Sequence, residues 1–393
     1  IAQCLVGSEM CIRDSNYMKH RINPFVISGY VSAEYFCDRK AETAQLIREV
    51  SNGNNVALIS TRRMGKTGLI QHCFRNPELK DGFYNFFIDI YATKSLREFV
   101  FSLSRTILET LKPRGRKAME LFLHNLRSLQ AGITFDVTGI PSFNVQLGDI
   151  QHTETTLDEI FTYLSAADKP CIVAIDEFQQ IASYPEKNVE AMLRTYVQHC
   201  PNAHFIFAGS QRHTMGNMFT SPSRPFYQSV SMMHLESIDL DEYIRFARHH
   251  FEQAGKEIER CVVKTIYERF DGITWYIQKM LNALYSMTPS GGTCTEAMID
   301  EALRNIVGSM KYTYTETLFR MPERQKELLI AISKEGRASS VTSGSFIKKY
   351  RLSSASSVQA AMKGLLEKDY ITSEAGSYHV YDLFFGIWLR ENY

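Results

Sequence analysis

The segment Ser60-Thr61-Arg62-Arg63-Met64-Gly65-Lys66-Thr67 sets a lysine and a hydroxyl side chain at the end of a short polar loop. The apolar run Val56–Ile59 precedes it and a helical pattern begins near Lys66, so the loop joins a strand to a helix. A loop in that place turns successive backbone N–H groups inward, and the helix N-terminus adds positive partial charge. Both features favour phosphate. Lys66 is then expected to reach β- and γ-phosphates, and the Thr67 hydroxyl to bind Mg²⁺. Arg62, Arg63, Met64, Gly65 and Gly68 complete the segment expected to surround the ligand. Ser60 stands where such loops usually begin with glycine, which eases the exit from the strand.

Ile172-Val173-Ala174-Ile175-Asp176-Glu177 is a second chemical signal. Four apolar residues read as a central strand, and two carboxylates emerge at its C-terminal end, where open α/β sheets bind ligands. Asp176 is expected in the magnesium shell, and Glu177 to orient and polarise an attacking water. Neighbouring residues on an extended strand face opposite ways, which would allow the two carboxylates different tasks. The next apolar run, Phe205 to Ala208, ends in Gly209-Ser210-Gln211, so Ser210 or Gln211 is placed as a polar sensor of the γ-phosphate. Arg212 and Arg224 are candidates for stabilising transition-state charge, with ordinary surface arginine as the alternative for each.

These residues need a scaffold, and the pattern supplies one. Helical periodicity from about Arg39 to Val50 leads to the strand Val56–Ile59. The strand Phe83–Tyr91 and the helix Leu96–Leu111 follow. Ile133 to Leu147 alternates around Gly139-Ile140-Pro141 as a hairpin. A helix Leu157–Ala167 and strands at Cys171–Ile175, His204–Ala208 and Met232–Leu235 complete an alternation that means βαβ units and a parallel sheet. After Ile238 the strand signals stop and the pattern is helical to Val307. From Tyr312 onward, three helices and a hairpin at Tyr370–Ser373 and Tyr378–Tyr381 read as a winged helix. The expected division is an N-terminal segment 1–22 outside the fold, a phosphate-loop domain 23–236, a helical lid 237–310 and a winged-helix domain 311–393. Ile1–Ser15 lacks periodicity, resembles translated adapter sequence and does not read as a signal peptide.

The 393 residues carry 44 Lys and Arg against 43 Asp and Glu, a net charge of +1, which argues against a nucleic-acid-coating or membrane-surface role. No apolar run is long enough to span a bilayer. The 8 cysteines form no CxxC pair and no zinc spacing, which fits a reducing cytoplasm.

With these residues in view, the chain resembles the archaeal-type ATPase family, of the STAND class of AAA-like P-loop NTPases. The resemblance covers nearly all of Asn23 to Tyr393. It rests on Asn23-Pro24-Phe25, on Phe36-Cys37-Asp38-Arg39-Lys40-Ala41-Glu42 as an F-x-G-R-x-x-E box, and on the arginine-rich phosphate loop. Ile175-Asp176-Glu177-Phe178-Gln179 and the C-terminal Tyr381-Asp382-Leu383-Phe384-Phe385 with Trp388-Leu389-Arg390 complete it. It implies a P-loop α/β core with an α-helical lid and a winged helix, binding of ATP and Mg²⁺, a nucleotide contact for Arg39, and ATP-dependent switching. Two places depart from it. Cys37-Asp38 replaces a residue-glycine pair, and Gly272-Ile273-Thr274 stands where the lid usually has Gly-x-Pro.

The winged helix bears on partners. Residues 311–393 hold twelve Lys or Arg against nine Asp or Glu, a net of +3. Lys348, Lys349, Arg351 and Lys363 are placed to face phosphates, but the wing carries Glu374 and no Lys or Arg. The expectation is an ATP-hydrolysing switch coupled to an unidentified protein client. The rivals are an ATP-regulated DNA-binding regulator and an ATP-binding scaffold with negligible turnover. A nucleotide-dependent homo-oligomer is expected if an arginine acts in trans.

Overall fold

The computed structural model describes residues 23–111, 122, 124, 126, 133–135, 141–143, 150, 152–210, 212–374 and 376–393. The chain divides into two compact units. One is Ile1–Phe246 with Gly272–Gln278, the other Ala247–Asp271 with Lys279–Tyr393.

The first unit is built on a five-stranded sheet in the order β2-β5-β6-β1-β7. Its strands are β1 (Val56–Ile59), β2 (Tyr84–Asp89), β5 (Cys171–Asp176), β6 (Ala203–Gly209) and β7 (Ser231–His234), all parallel. Alternation within a strand sends neighbours to opposite faces, and both faces are buried. Val56, Leu58, Ile172 and Ala174 join the core formed with α1 (Lys40–Ser51) and α2 (Lys66–Phe74). Ala57, Ile59, Val173 and Ile175 join the opposite core, formed with α4 (Leu96–Leu111), α5 (Thr153–Ala166) and α7 (Arg212–Thr220). Burial on both faces is why these strands read as unbroken apolar runs. The short α3 (Pro77–Gly82) is capped by the Asn76 side chain, and α6 (Val189–Gln198) follows the acidic strand end. The expected hairpin is present as β3 (Ile133–Phe135) antiparallel to β4 (Pro141–Phe143). Its turn and its end lie outside the described residues.

In the second unit, α9 (Arg260–Arg269) and α11 (Met298–Ser309) are complete, whereas α8 (Leu240–Gln253) and α10 (Thr274–Met287) each begin in the first unit. The expectation that strands end at Ile238 is corrected. Two-residue strands β8 (Glu257–Ile258) and β9 (Thr293–Cys294) pair in parallel. They are too short to leave a periodicity in sequence.

After α12 (Lys311–Phe319) come α13 (Glu323–Glu335), α14 (Gly344–Tyr350) and α15 (Ala355–Glu367), then the wing β11 (Ile371–Glu374) and β12 (Ser377–Val380), and α16 (Leu383–Asn392). Ser343, Ser354 and Asp382 cap their helices by accepting backbone N–H groups. The expected three-helix-plus-wing arrangement is therefore present. It gains a strand, β10 (Ala338–Ser339), paired with β12. The aromatic residues of α16 anchor it: Phe385 stacks on Tyr314 at 4.8 Å and Phe384 meets Phe270 edge-on at 5.3 Å.

Candidate functional site

Residues 60–65 form a loop between β1 and α2 whose conformation depends on two positive φ angles, 68° at Arg63 and 92° at Gly65. Glycine takes such an angle without the cost a side chain meets, so the loop's one glycine sits where the backbone requires it. Ser60 is absent from the positive-φ positions, so the backbone there makes no demand for glycine. It is fully buried, and its hydroxyl accepts from Lys66 Nζ at 3.1 Å and donates to the Thr61 carbonyl at 2.7 Å. The ammonium also donates to that carbonyl at 3.3 Å. Lys66, only 6% exposed, is thus held inside the loop.

Three residues brace the loop from outside. The buried Arg39 guanidinium donates to the Met64 carbonyl at 3.3 Å while pairing with Glu42 at 2.6 Å. The Thr274 hydroxyl donates to the same carbonyl at 3.2 Å, and Trp275 N–H donates to the Arg63 carbonyl at 3.0 Å. Arg39 and the preceding Asp38 both have positive φ, 65° and 51°. Glycine is the ordinary solution there, and aspartate is among the side chains that tolerate the angle, so the departure at Asp38 is accommodated. At the second departure, the Thr274 side chain supplies the loop with a hydrogen bond that proline would lack. The Arg63 guanidinium lies over the rings of Trp275 at 4.5 Å and Tyr276 at 4.9 Å and bonds to the Tyr276 hydroxyl. Arg62 reaches over Tyr91 at 5.5 Å, and Gly68 sits in the first turn of α2 beside the Phe36 ring.

The acidic strand end meets this loop. The Thr67 hydroxyl donates to Asp176 Oδ2 at 2.5 Å. Burial pushes the Asp176 carboxyl above its ordinary pKa, an effect opposed by the Thr67 hydrogen bond. Among the described residues no group of three or more His, Cys, Asp or Glu could hold a metal ion. A site that offers one hydroxyl and one buried carboxylate, with the remaining positions left to phosphate oxygens and water, is the donor set magnesium takes with a nucleotide. Thr67 and Asp176 fit that role.

Glu177 corrects the expectation of strand alternation. It is not extended: its φ is 57°, and it caps the 3₁₀ turn Phe178–Ser183. Phe178 is fully buried, 4.4 Å from the Phe207 ring, and so fixes the turn. Ser210 Oγ donates to Glu177 Oε2 at 2.9 Å, and Gln179 Nε2 donates to the same oxygen. Gly209 makes room for this clamp, since a Cβ there would collide with Gln179 Oε1 and Met215. Gln211 lies outside the described residues, as does the side chain of Arg212. Arg224 is held in an ion pair with Glu190 at 2.5 Å, a role that the sequence does not signal.

A cavity of about 290 Å³ joins these parts. Its walls include Lys66, Thr67, Asp176 and Glu177, the segment Val26–Ser32, and Thr274, Trp275 and Gln278 from α10. Two of the walls escape sequence reasoning. Val26–Ser32 follows Asn23-Pro24-Phe25 without a motif of its own. The segment is pinned by Trp275 Nε1 donating to the Ile27 carbonyl at 3.0 Å and by Tyr30, whose hydroxyl is 2.8 Å from His72 Nδ1. The aromatic pair Trp275-Tyr276 directly after Gly272-Ile273-Thr274 was the available signal for the other.

A family described as the ATPase domain predominantly from Archaea matches residues 36–280, more than half of the chain, and a probable winged helix domain matches residues 312–391. Among solved structures, the chain is similar to the Walker-type ATPase PABY2304 of Pyrococcus abyssi, with 18% identity and a TM-score of 0.63, covering 93% of this chain and 99% of that one. It is similar to the ORC2 protein of Aeropyrum pernix, at 13% identity and a TM-score of 0.55 over 94% and 96% of the two chains. The ORC1 protein of the same organism, solved in complex with DNA, gives 12% identity and a TM-score of 0.51 over 91% and 93%. No curated protein matches the sequence. No helix among the described residues is long and apolar enough to cross a membrane.

Proposed function

Because this chain belongs to the family of ATPase domains found predominantly in Archaea, we propose that it hydrolyses Mg²⁺-bound ATP as a conformational switch and passes the nucleotide state to a protein partner. The observation behind this reading is the Thr67–Asp176 hydrogen bond of 2.5 Å, which joins the phosphate loop to the acidic strand end at one wall of the cavity. Lys66 neutralises β- and γ-phosphate charge, and the inward N–H groups of residues 62–67 orient the chain of phosphates. Thr67 and Asp176 would hold magnesium, which would supply neutralisation of the phosphate charge. Glu177 accepts a proton from the attacking water. Ser210 and Gln179, both on Oε2, fix the carboxylate and leave Oε1 to take that proton. Arg212 is the candidate for acting on a neighbouring copy in a nucleotide-dependent oligomer, in which case turnover rises with protein concentration.

The switch reading rests on the bonds from Thr274 and Trp275 to the loop backbone. Loop movement on phosphate binding is felt at the start of α10, the helix that begins in one unit and ends in the other. In functional terms the chain divides into 23–236 for chemistry, 237–310 as lid and 311–393 for recognition. A protein client is favoured over DNA because Lys349 is engaged by Glu335 at 2.6 Å and Lys363 lies 3.8 Å from Glu367, leaving fewer cations for phosphates. Hydrogen exchange with and without ATP·Mg²⁺ tests the switch. Protection should change in α10 and in the winged helix, and the change should vanish in Lys66→Ala. Changes confined to residues 60–67 would defeat it. A steep salt dependence of duplex DNA binding would favour the DNA partner instead.

A further inference from the structure

Gln278 is 6% exposed, lines the cavity, and its Oε1 is buried with no hydrogen-bond partner. A buried amide oxygen left unpaired lowers stability, and such groups are uncommon in native folds unless a ligand completes them. The position along α10 says which part of a ligand it meets. Thr274, four residues earlier and on the same face, touches the phosphate loop through the Met64 carbonyl. Gln278 lies about 6 Å further along the helix, since each residue rises about 1.5 Å. The helix starts at the loop, with Trp275 N–H on the Arg63 carbonyl, so that distance carries Gln278 away from the phosphates. The apolar side chains Val26, Ile27 and Ile238 also line the cavity, which suits a flat heterocycle.

We infer that Gln278 reads the nucleobase and sets the preference for adenine over guanine. An amide presents a donor and an acceptor in one plane, and adenine offers the complementary amino group and ring nitrogen side by side. Guanine presents two acceptors on the corresponding edge, so one end of the amide would stay unpaired, and sites of that kind reject the mismatched analogue strongly. The inference rests on the nucleotide reading above and adds the residue that selects the base.

The test is calorimetry on the full chain with ATP, GTP and inorganic tripolyphosphate, comparing wild type with Gln278→Met, which keeps length but removes the amide. The wild type should prefer ATP to GTP. The variant should bind ATP about tenfold more weakly, the loss expected for one hydrogen-bonding group. It should bind ATP and GTP nearly alike and hold tripolyphosphate as the wild type does. Its melting midpoint without ligand should be equal or higher, because an orphaned polar group has been replaced by an apolar one. Unchanged ATP affinity and base preference would overturn the inference. So would a parallel loss of tripolyphosphate binding, which marks a purely structural role, or a wild type that takes tripolyphosphate yet does not distinguish ATP from GTP. Failure of the wild type to bind any of the three would overturn the nucleotide reading itself, and the inference with it.

Discussion

The nucleotide site and the winged helix hold their charges in opposite ways. Lys66, Asp176 and Arg39 are 6%, 4% and 3% exposed, and each is bonded to the phosphate loop. In the winged helix, Lys349 and Lys363 stay in water and close on nearby carboxylates of the same domain. Withdrawing a charge from water costs several kcal/mol, on the order of what one good partner returns. Here three such groups concentrate around one loop, each held by a hydrogen bond to it. Exposed pairs cost little and contribute little. Buried charge, rather than charge itself, therefore separates the phosphate-loop region from the winged helix.

The comparison breaks most readily at Lys66. Lys66→Ala should weaken ATP binding by roughly 100-fold or more, about 3 kcal/mol, by calorimetry, because a buried cation–phosphate contact is lost. The fold should survive, since the Lys66 ammonium bonds to Ser60 and Thr61 within its own loop rather than to the core. Near-normal affinity in a folded variant would remove the site assignment.

Arg63 tests the bracing around the loop. Arg63→Ala removes contacts to the Trp275 and Tyr276 rings and should lower stability by about 1–2 kcal/mol in denaturant titration. ATP binding should weaken alongside. A variant of unchanged stability would mean that the stacked guanidinium is incidental.

On the other side of the comparison, Asp382 holds a charge at the surface of a helix end rather than in a cavity. Its carboxylate accepts from Phe384 N at 3.0 Å and Phe385 N at 3.2 Å. Asp382→Ala should cost about 1 kcal/mol of stability and leave ATP affinity unchanged. An effect on nucleotide binding as large as that of Arg63→Ala would erase the distinction between the two regions.

What was legible in the sequence followed from how local the physics is. The phosphate loop and the acidic strand end are short contiguous runs in which residue type and neighbour suggest the chemistry, so the pairing of Thr67 with Asp176 could be anticipated from the sequence. The apolar runs of β1, β5 and β6 were plain because both faces of the sheet are buried. The bonds that complete the site were not local. Thr274 reaches Met64 across 210 residues and Ser210 reaches Glu177 across 33, and no periodicity reports such pairs. The positive φ of Glu177 was hidden for another reason. Strand signals end only approximately, and the turn is set by Phe178 entering an aromatic cluster with Phe207 and Phe226. Strands of two residues such as β8, β9 and β10 leave no pattern at all.

The most direct test of the account is single-turnover hydrolysis by Glu177→Gln and Asp176→Asn, with ATP·Mg²⁺ affinity measured on the same preparations. Glu177→Gln should bind with near-normal affinity and hydrolyse about 10²–10³-fold more slowly, the loss expected when a general base is removed. Asp176→Asn should instead raise the Mg²⁺ concentration needed for binding, because its carboxylate is proposed to hold the metal. Equal losses of binding in both variants would contradict the account, since Asp176 and Glu177 would then merely shape the strand end.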